Sequence, residues 1–518
     1  MILLSASESR ELDRLSQEKY GVASYSLMTN AGEAVARVAL ERHGEALRSG
    51  VLVVAGRGNN GGDGMVAARS LKQEGIDVRT VLLGTASQLK GDAARALSDY
   101  LATGATVVEA DSEQALAREF SRRPGAVIDA IFGTGLNAEI AGLPRRAIEV
   151  TNSLCVPTVA VDIASGVNSD TGAVMGAAVR ASTTVTFGFA KYGHVSYPGA
   201  EYCGELRIAE IGFAPGAIDD IAPRGRFLEA ADVRGLVGRR PMNSHKGQNG
   251  HVMVIAGGRG KGGASLLTSR GALRTGAGLV TAAIPECVAN IVASGQAELM
   301  TEPIPDRHGH FDADAAPDVL ARLVEGKDAL VVGPGIGVSD DTKRLVEWLI
   351  LNAVAPERPI LIDADALNAL AQLGCERARE ARGVVVMTPH PGEMARLLGS
   401  STGAVNADRI SAARTLSERT RAVVLLKGAR SVIAGPEGEI YVNSTGNPGM
   451  GSPGMGDALS GMVGALMGQG LRPLDALALG VFLHGYAADR VAHRLGRVGY
   501  LAGDVIEEIP RALEALAS

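Results

Sequence analysis

At 518 residues the chain is long enough for roughly two or three domains, each with a core of its own. Hydrophobic residues at 46% and charged residues at 21% exclude extensive disorder, and a net charge of −6 with only 3% aromatics argues against nucleic-acid binding by charge or by base stacking. Cys155, Cys203, Cys287 and Cys375 are scattered without CxxC spacing, so neither a zinc site nor a disulfide framework is expected and a reducing, cytoplasmic setting fits. The opening MILLSASESRELDRL has too short an apolar run and no basic stretch for a signal peptide. No run of about 18 apolar residues predicts a membrane span.

In chain order, apolar strand candidates at 51–55, 78–83, 126–131, 158–163 and 183–187 alternate with helical patterns such as 64–73 and 93–102. A second series follows at 251–256, 279–284, 329–332, 360–362, 384–388, 423–426 and 431–434. Such alternation predicts α/β domains built on parallel sheets covered on both faces. The two halves do not align as a repeat, which predicts two different domains, 1–220 and 226–518. The Pro- and Gly-rich segment 213–225 is the linker candidate.

The first chemical feature is Gly56-Arg57-Gly58-Asn59-Asn60-Gly61-Gly62-Asp63-Gly64, directly after a strand candidate. It satisfies GxGxxG, and Asp77 follows about 20 residues later, as in dinucleotide-binding folds, so an NAD-dependent oxidoreductase is one reading. The two amides and the carboxylate exceed what cradling a phosphate needs, although Asp63 as a helix cap accounts for part of the pattern. Asp129 and Asp162 stand at the ends of two later strand candidates, followed by the turns Gly133-Thr134-Gly135-Leu136 and Ser165-Gly166-Val167. In a doubly wound sheet these turns converge on one crevice. Together with Leu27-Met28-Thr29-Asn30-Ala31-Gly32, these motifs resemble the NAD(P)H-hydrate epimerase family across 1–220. The resemblance implies a Rossmann-like domain that inverts C6 of a hydrated nicotinamide nucleotide. It implies that Asn59, Asn60, Gly61, Gly62, Asp63, Gly133, Thr134, Gly135 and Leu136 cradle that nucleotide. Asn60, Asp129 and Ser165 would ligate K⁺, and Asp162 would face the nicotinamide and move the proton. Lys191 reads either as added charge in the pocket or as a solvated loop lysine. The chain departs from the family pattern at Ala164, where proline is usual, and at Thr29, where glutamate is usual.

The second feature is Gly454-Met455-Gly456-Asp457 ahead of an Ala/Leu-rich helix. Backbone N–H groups at such a helix start form an anion hole, and the carboxylate beside it suits general-base work on a hydroxyl that attacks phosphorus, or else caps the helix. Its companions are Asn243-Ser244-His245-Lys246-Gly247, Gly276-Ala277-Gly278, Gly333-Pro334-Gly335-Ile336-Gly337, Asp363-Ala364-Asp365, Thr388-Pro389-His390-Pro391-Gly392-Glu393 and Lys427-Gly428-Ala429-Arg430-Ser431. Nearly all fall at strand ends. In order and spacing they resemble the ADP-dependent NAD(P)H-hydrate dehydratase family, a branch of the ribokinase-like fold, over about 230–515. The resemblance implies that Ala264, Gly335 and His390 contact the hydrated nucleotide. Lys427, Gly428, Ala429, Arg430, Ser431 and Gly456 would hold the adenine nucleotide. Asp457 would be the base, and Mg²⁺ would accompany the diphosphate. Asp363 and Asp365 read as caps of a helix near Ala366, with Asp363 alternatively a substrate neighbour, and Glu393 reads either as a helix-start carboxylate or as a Mg²⁺ ligand. Pro453 stands where the family has glycine, and Met455 where it usually has Ser or Thr.

The expectation is a bifunctional enzyme acting on NADHX and NADPHX with ADP as co-substrate, a homo-oligomer without nucleic-acid or membrane partners. The alternative is a ribokinase-like small-molecule kinase fused to a nucleotide-binding regulatory module.

Overall fold

All five residues of Val51–Ala55 are buried, as an apolar, largely β-branched run must be when helices cover both sheet faces. In the computed structural model, which describes residues 1–518, this strand is central to a seven-stranded sheet. The order across the sheet is Val107–Ala110, Val78–Leu83, Val51–Ala55, Ala126–Ala130, Thr158–Val161, Thr183–Phe187 and Glu205–Ala209. Every neighbouring pair is parallel. The chain works outward from Val51–Ala55, then returns to its other side at Ala126–Ala130. The gap between those two strands is therefore a switch point, where ligands bind outside the carboxyl ends.

The GRGNNGGDG segment is not the loop its glycines suggest. Helix begins at Asn59 and runs to Gln73, so Asn59 to Gly64 form its first turns. The glycines serve close approach rather than turning. A Cβ on Gly56 would lie 2.0 Å from the Ile131 carbonyl oxygen, one on Gly61 2.0 Å from the Gly56 oxygen, and one on Gly64 2.4 Å from Ala130 Cβ. Asp63 lies inside this helix and does not cap it, because the N-cap is Gly58. Asp77 departs from the dinucleotide reading. Its carbonyl accepts the N–H of Val51 (2.8 Å), which puts it at the amino edge of the sheet, away from the crevice, and its carboxylate pairs with Arg122.

Ahead of the sheet, Ser5 and Glu8 form a reciprocal capping box that starts the helix Ala6–Glu18. The expected linker is structured as well. Pro215 opens the short helix Pro215–Ile221, and its Ala217 is wholly buried in a small cluster with Leu4 and Leu12. The chain divides into two compact units, Met1–Gly225 and Arg226–Ser518.

In the second unit the parallel strands run Met300–Ile304, Leu279–Pro285, His251–Ile255, Ala329–Val332, Ile360–Ile362, Val385–Met387 and Val423–Leu426. Two antiparallel strands, Val432–Ala434 and Ile440–Asn443, extend them. The helix Met455–Gly468 is apolar on nearly every side and is buried along most of its length, as such a helix has to be. It packs on Gly262–Arg274 through two glycines. A Cβ on Gly461 would lie 1.8 Å from the Thr268 oxygen, and one on Gly271 2.5 Å from the Ala458 oxygen.

Candidate functional sites

In the first unit, the carboxyl ends of the strands open into a cavity of about 680 Å³, within the range that holds a nucleotide-sized ligand. Asn59, Asn60, Asp63, Gly133, Thr134, Gly135, Leu136 and Asp162 all line it, whereas the predicted Gly61 and Gly62 lie behind them in the helix. The turn from Gly133 to Leu136 is held from behind. Ser169 Oγ donates to the Thr134 carbonyl (3.3 Å) and Asn168 Nδ2 to that of Leu136 (3.4 Å).

Asp162 follows the strand Thr158–Val161 with a left-handed backbone, φ +63°. Asp is among the few residues that tolerate this, and strain of this kind concentrates at working sites. Lys191 Nζ donates to its Oδ1 at 2.7 Å, and Thr186 Oγ1 to the same oxygen at 3.0 Å. Burial alone would raise the Asp162 carboxyl, but the Lys191 ammonium outweighs it and holds the group below its ordinary value. Lys191 is thus a buried partner of Asp162, not a solvated loop lysine. His194 fixes the other side of this turn. Its Nδ1 accepts the Lys191 N–H (2.9 Å), so its Nε2 donates to the Asp162 carbonyl (2.9 Å). Burial, then Lys191, pushes the imidazole down to about 4, so it is neutral near pH 7.

Asp129 and Ser165 also meet. The Ser165 N–H donates to Asp129 Oδ2 (2.8 Å), and the Phe132 N–H donates to Ser165 Oγ (2.9 Å). Next to Phe132, the place of a Cβ on Gly133 lies 3.0 Å from Asn60 Oδ1, so Asn60 packs against the same turn. Asp129 is 1% exposed and no cationic side chain offsets it, so burial raises its carboxyl to about 6. An uncompensated buried carboxylate among amide, hydroxyl and carbonyl oxygens fits a hard monovalent cation.

Sequence reasoning missed one wall of this cavity. Ser9, Arg10, Leu12, Asp13 and Gln17 of the helix Ala6–Glu18 line it, along with Phe187 and Phe213. Three- and four-residue spacing puts Ser9, Arg10, Asp13 and Gln17 on one helix face, a pattern legible only once the helix is known to cover a pocket.

In the second unit the predicted residues gather at the carboxyl ends of the parallel strands. Asp363 occupies the N-cap position of the helix Ala364–Leu373, yet its side chain does not cap it. Lys427 Nζ donates to its Oδ1 (2.6 Å) and Ser460 Oγ to its Oδ2 (2.7 Å). Asp365 does not cap that helix from the N-cap position either. It accepts from the Gly337 N–H (2.9 Å) and from Lys261 Nζ (3.0 Å). Burial works against the Lys427 charge, but Asp363, Glu393 and Asp457 hold it above its ordinary value.

Asp457 lies in the first turn of Met455–Gly468, behind Gly454, whose φ of +85° favours glycine. Burial, with repulsion from Asp363 added, pushes its carboxyl up to about 6. The place of a Cβ on Gly456 is 3.3 Å from Lys427 Nζ, so this glycine keeps the space above the ammonium open. In the same loop Ser452 Oγ is buried without a partner, although position 455 lacks a hydroxyl.

The Lys427-to-Ser431 turn is braced from within. Ser431 Oγ accepts the Gly428 N–H (3.2 Å), and Arg430 Nη1 donates to the Ser444 carbonyl (2.7 Å). Arg409, which sequence reasoning missed, donates to the Leu426 and Lys427 carbonyls (both 3.1 Å). The side chains of Arg430 and Ser431 are therefore engaged inside the protein.

Ala264 and Gly335 touch, since a Cβ on Gly335 would sit 3.1 Å from Ala264 Cβ. His390 shares their sheet edge but has a local duty. It caps Pro391–Leu398, its Nδ1 accepting the Gly392 N–H (3.0 Å), while Glu393 Oε2 accepts the His390 N–H (2.8 Å). Glu393 is 4% exposed, and burial raises it to about 7. Its helix-start role is the one observed. No three His, Cys, Asp or Glu side chains form a group able to hold a metal ion, so a divalent cation in this site would depend on oxygens of a bound ligand. No helix is long and apolar enough to cross a membrane.

Comparison with known proteins bears on both units. The family described as NAD(P)H-hydrate dehydratase matches residues 252–511, and the YjeF-related protein N-terminus matches residues 24–193. The bifunctional NAD(P)H-hydrate repair enzyme Nnr of Moorella thermoacetica is 41% identical, over 100% of this chain and 97% of that protein. The enzyme of the same name from Thermofilum pendens is 40% identical, over 100% and 97%. Among solved structures, an ADP/ATP-dependent NAD(P)H-hydrate dehydratase from Bacillus subtilis is 27% identical with a TM-score of 0.49, covering 56% of this chain and 98% of its own.

Proposed function

Because the chain belongs to the family of bifunctional NAD(P)H-hydrate repair enzymes, we propose that its first unit epimerises NADHX and NADPHX at C6 and that its second dehydrates the S epimer, converting ADP to AMP and phosphate. The observation that carries this reading is a carboxylate at the ligand-facing edge of each sheet with a lysine close by: Asp162, buried and bonded to Lys191, and Asp457, half-buried and within the field of Lys427, which is itself bonded to Asp363.

In the second unit the substrate hydroxyl is a poor leaving group, whereas a phosphate monoester leaves readily. Asp457 takes the hydroxyl proton as the oxygen attacks the terminal phosphorus of ADP, and AMP departs. The phosphate then leaves C6, driven by the ring nitrogen lone pair. Loss of a proton from C5 restores the dihydronicotinamide. Lys427 places positive charge beside the glycine turn where the transferred group carries negative charge, and the N–H groups at the start of Met455–Gly468 face the same region. Backbone groups of Lys427 to Ser431, together with Gly456, hold the adenine nucleotide, and Ala264, Gly335 and His390 border the hydrated ring.

In the first unit, Asn59 to Asp63 and Gly133 to Leu136 cradle the nucleotide, and Asp162 addresses the carbinol. Asn60, Asp129 and Ser165 would hold K⁺. When bound, K⁺ supplies charge neutralisation at Asp129, and Mg²⁺ supplies it at the diphosphate. The cytoplasm is the proposed location and a homo-oligomer the proposed state.

The test is incubation of the purified protein with hydrated NADH and ADP. Recovery of absorbance near 340 nm with release of phosphate supports the reading. A stable phosphorylated product without recovery refutes it in favour of a small-molecule kinase.

A further inference from the structure

The helix Ala6–Glu18 precedes the first matched segment, residues 24–193, yet it forms a wall of the epimerase cavity. Four of its polar residues, Ser9, Arg10, Asp13 and Gln17, line that cavity, and Ser9 Oγ is buried with no partner in the protein. Asp13 is accessible to the cavity, and neither a hydrogen-bond donor nor an ion pair engages its carboxylate. The charged groups facing it are Asp162 and Lys191 from the strand ends and Asp63 from the helix Asn59–Gln73. Arg10 from its own helix, Arg57 and Asp92 line the same space.

We infer that Asp13 is the second proton-transfer group of the epimerase site, working from the helical wall while Asp162 works from the sheet edge. This rests on the epimerase reading above. Inversion removes the hydroxyl from one face of C6 and delivers it to the other. A single carboxylate pinned by Lys191 and Thr186 serves one face only. Asp162 is pinned in this way.

The chemistry balances without an oxidant. The C6–O bond breaks as the oxygen takes a proton from Asp13 and leaves as water, while the ring nitrogen lone pair forms the C6–N1 double bond. Water then adds to the opposite face, the nitrogen recovers its lone pair, and the incoming oxygen gives a proton to Asp162. One proton leaves one carboxyl and one arrives at the other, and cavity water returns it. In the reverse direction the two exchange roles. Their surroundings suit the division of labour. Although Asp13 stays open to the cavity, desolvation by the protein around it, with repulsion from Asp162, raises it to about 6, whereas Lys191 keeps Asp162 ionised. Asp63 is raised well above its ordinary value by burial, but it stands one turn from Asn60 in the segment given to the nucleotide cradle.

The experiment uses the full-length protein without ADP and follows each purified epimer of hydrated NADPH by chromatography in ¹⁸O-labelled water. Expected for Asp13→Asn is a fall in kcat of about 100-fold or more, the range of one acid–base group, with KM within about twofold. Asp13→Glu should recover part of kcat, and Asp63→Asn should change KM more than kcat. Wild-type inversion should place one solvent oxygen at C6 per event. Full kcat in Asp13→Asn, or inversion without oxygen exchange, overturns the assignment. A wild-type protein that interconverts nothing refutes the epimerase reading itself, which is a separate result.

Discussion

Replacing Lys427 with methionine isolates the ion pair at the centre of the second site. The substitution keeps most of the side-chain volume and deletes the ammonium 2.6 Å from Asp363 Oδ1. Asp363 is 1% exposed, so its carboxylate would keep only the Ser460 hydroxyl at 2.7 Å. Stranding one partner of a buried pair costs about 3–5 kcal/mol. The Lys427 side chain is itself 19% exposed, which points to the lower end, about 3 kcal/mol. The chain holds one tryptophan, Trp348, in the second unit at the end of the helix Asp340–Trp348. Its fluorescence in a urea titration therefore reports that unit alone. With an m-value of about 3 kcal/mol per molar, the midpoint should fall by about 1 M. The double variant with Asp363→Asn should recover most of that loss, because no unpaired charge remains. A midpoint within about 0.2 M of wild type, the equivalent of about 0.6 kcal/mol, would refute the idea that Lys427 is what lets Asp363 stay buried.

Three further outcomes are expected. Asp457→Asn should lower dehydration by about 100-fold or more while ADP binding persists, and wild-type turnover should decline as pH falls through about 6, where the base gains its proton; steady-state rates and calorimetry check both. Glu393 has its folded value raised from 4.5 to about 7, so its ionisation is penalised in the native state. Its contribution is greatest below 4.5 and declines as pH rises through 7, by roughly 3 kcal/mol in all. Glu393→Gln should flatten that slope in Trp348-monitored titrations between pH 5 and 8. Gly461→Ala puts a methyl 1.8 Å from the Thr268 carbonyl oxygen, so the two central helices must part, at a cost of about 1–3 kcal/mol visible as an earlier Trp348 melting transition.

The central strands were legible because both faces are buried, and their apolar runs stand out from the helices between them. Val107–Ala110, Glu205–Ala209 and Met300–Ile304 were not, because each is short, partly exposed and carries charged residues that break the apolar run. The glycine motifs pointed to the strand ends where both candidate sites lie but misstated one local structure. At Gly56, Gly61 and Gly64 the residue type records what packs against the backbone, which no reading of turns reveals. The partnership of Asp363 with Lys427 spans 64 positions, and only the parallel ordering of their strands makes them neighbours. Asp13 was hidden differently. On a helix with Glu8, Arg10, Glu11, Arg14 and Glu18, one more charge looks like solvated surface until the cavity beside it is seen.

The left-handed backbone at Asp162 bears on how this chain could change over generations. Asparagine and glycine occupy that conformation at least as comfortably as aspartate, so the main chain puts up little resistance to losing the carboxyl. Lys191, 3% exposed, does resist, because its ammonium would be stranded. A descendant that gave up chemistry at this position would therefore be expected to lose the lysine as well. Joint retention or joint loss of the two residues becomes a mark by which active and retired copies of this domain can be told apart.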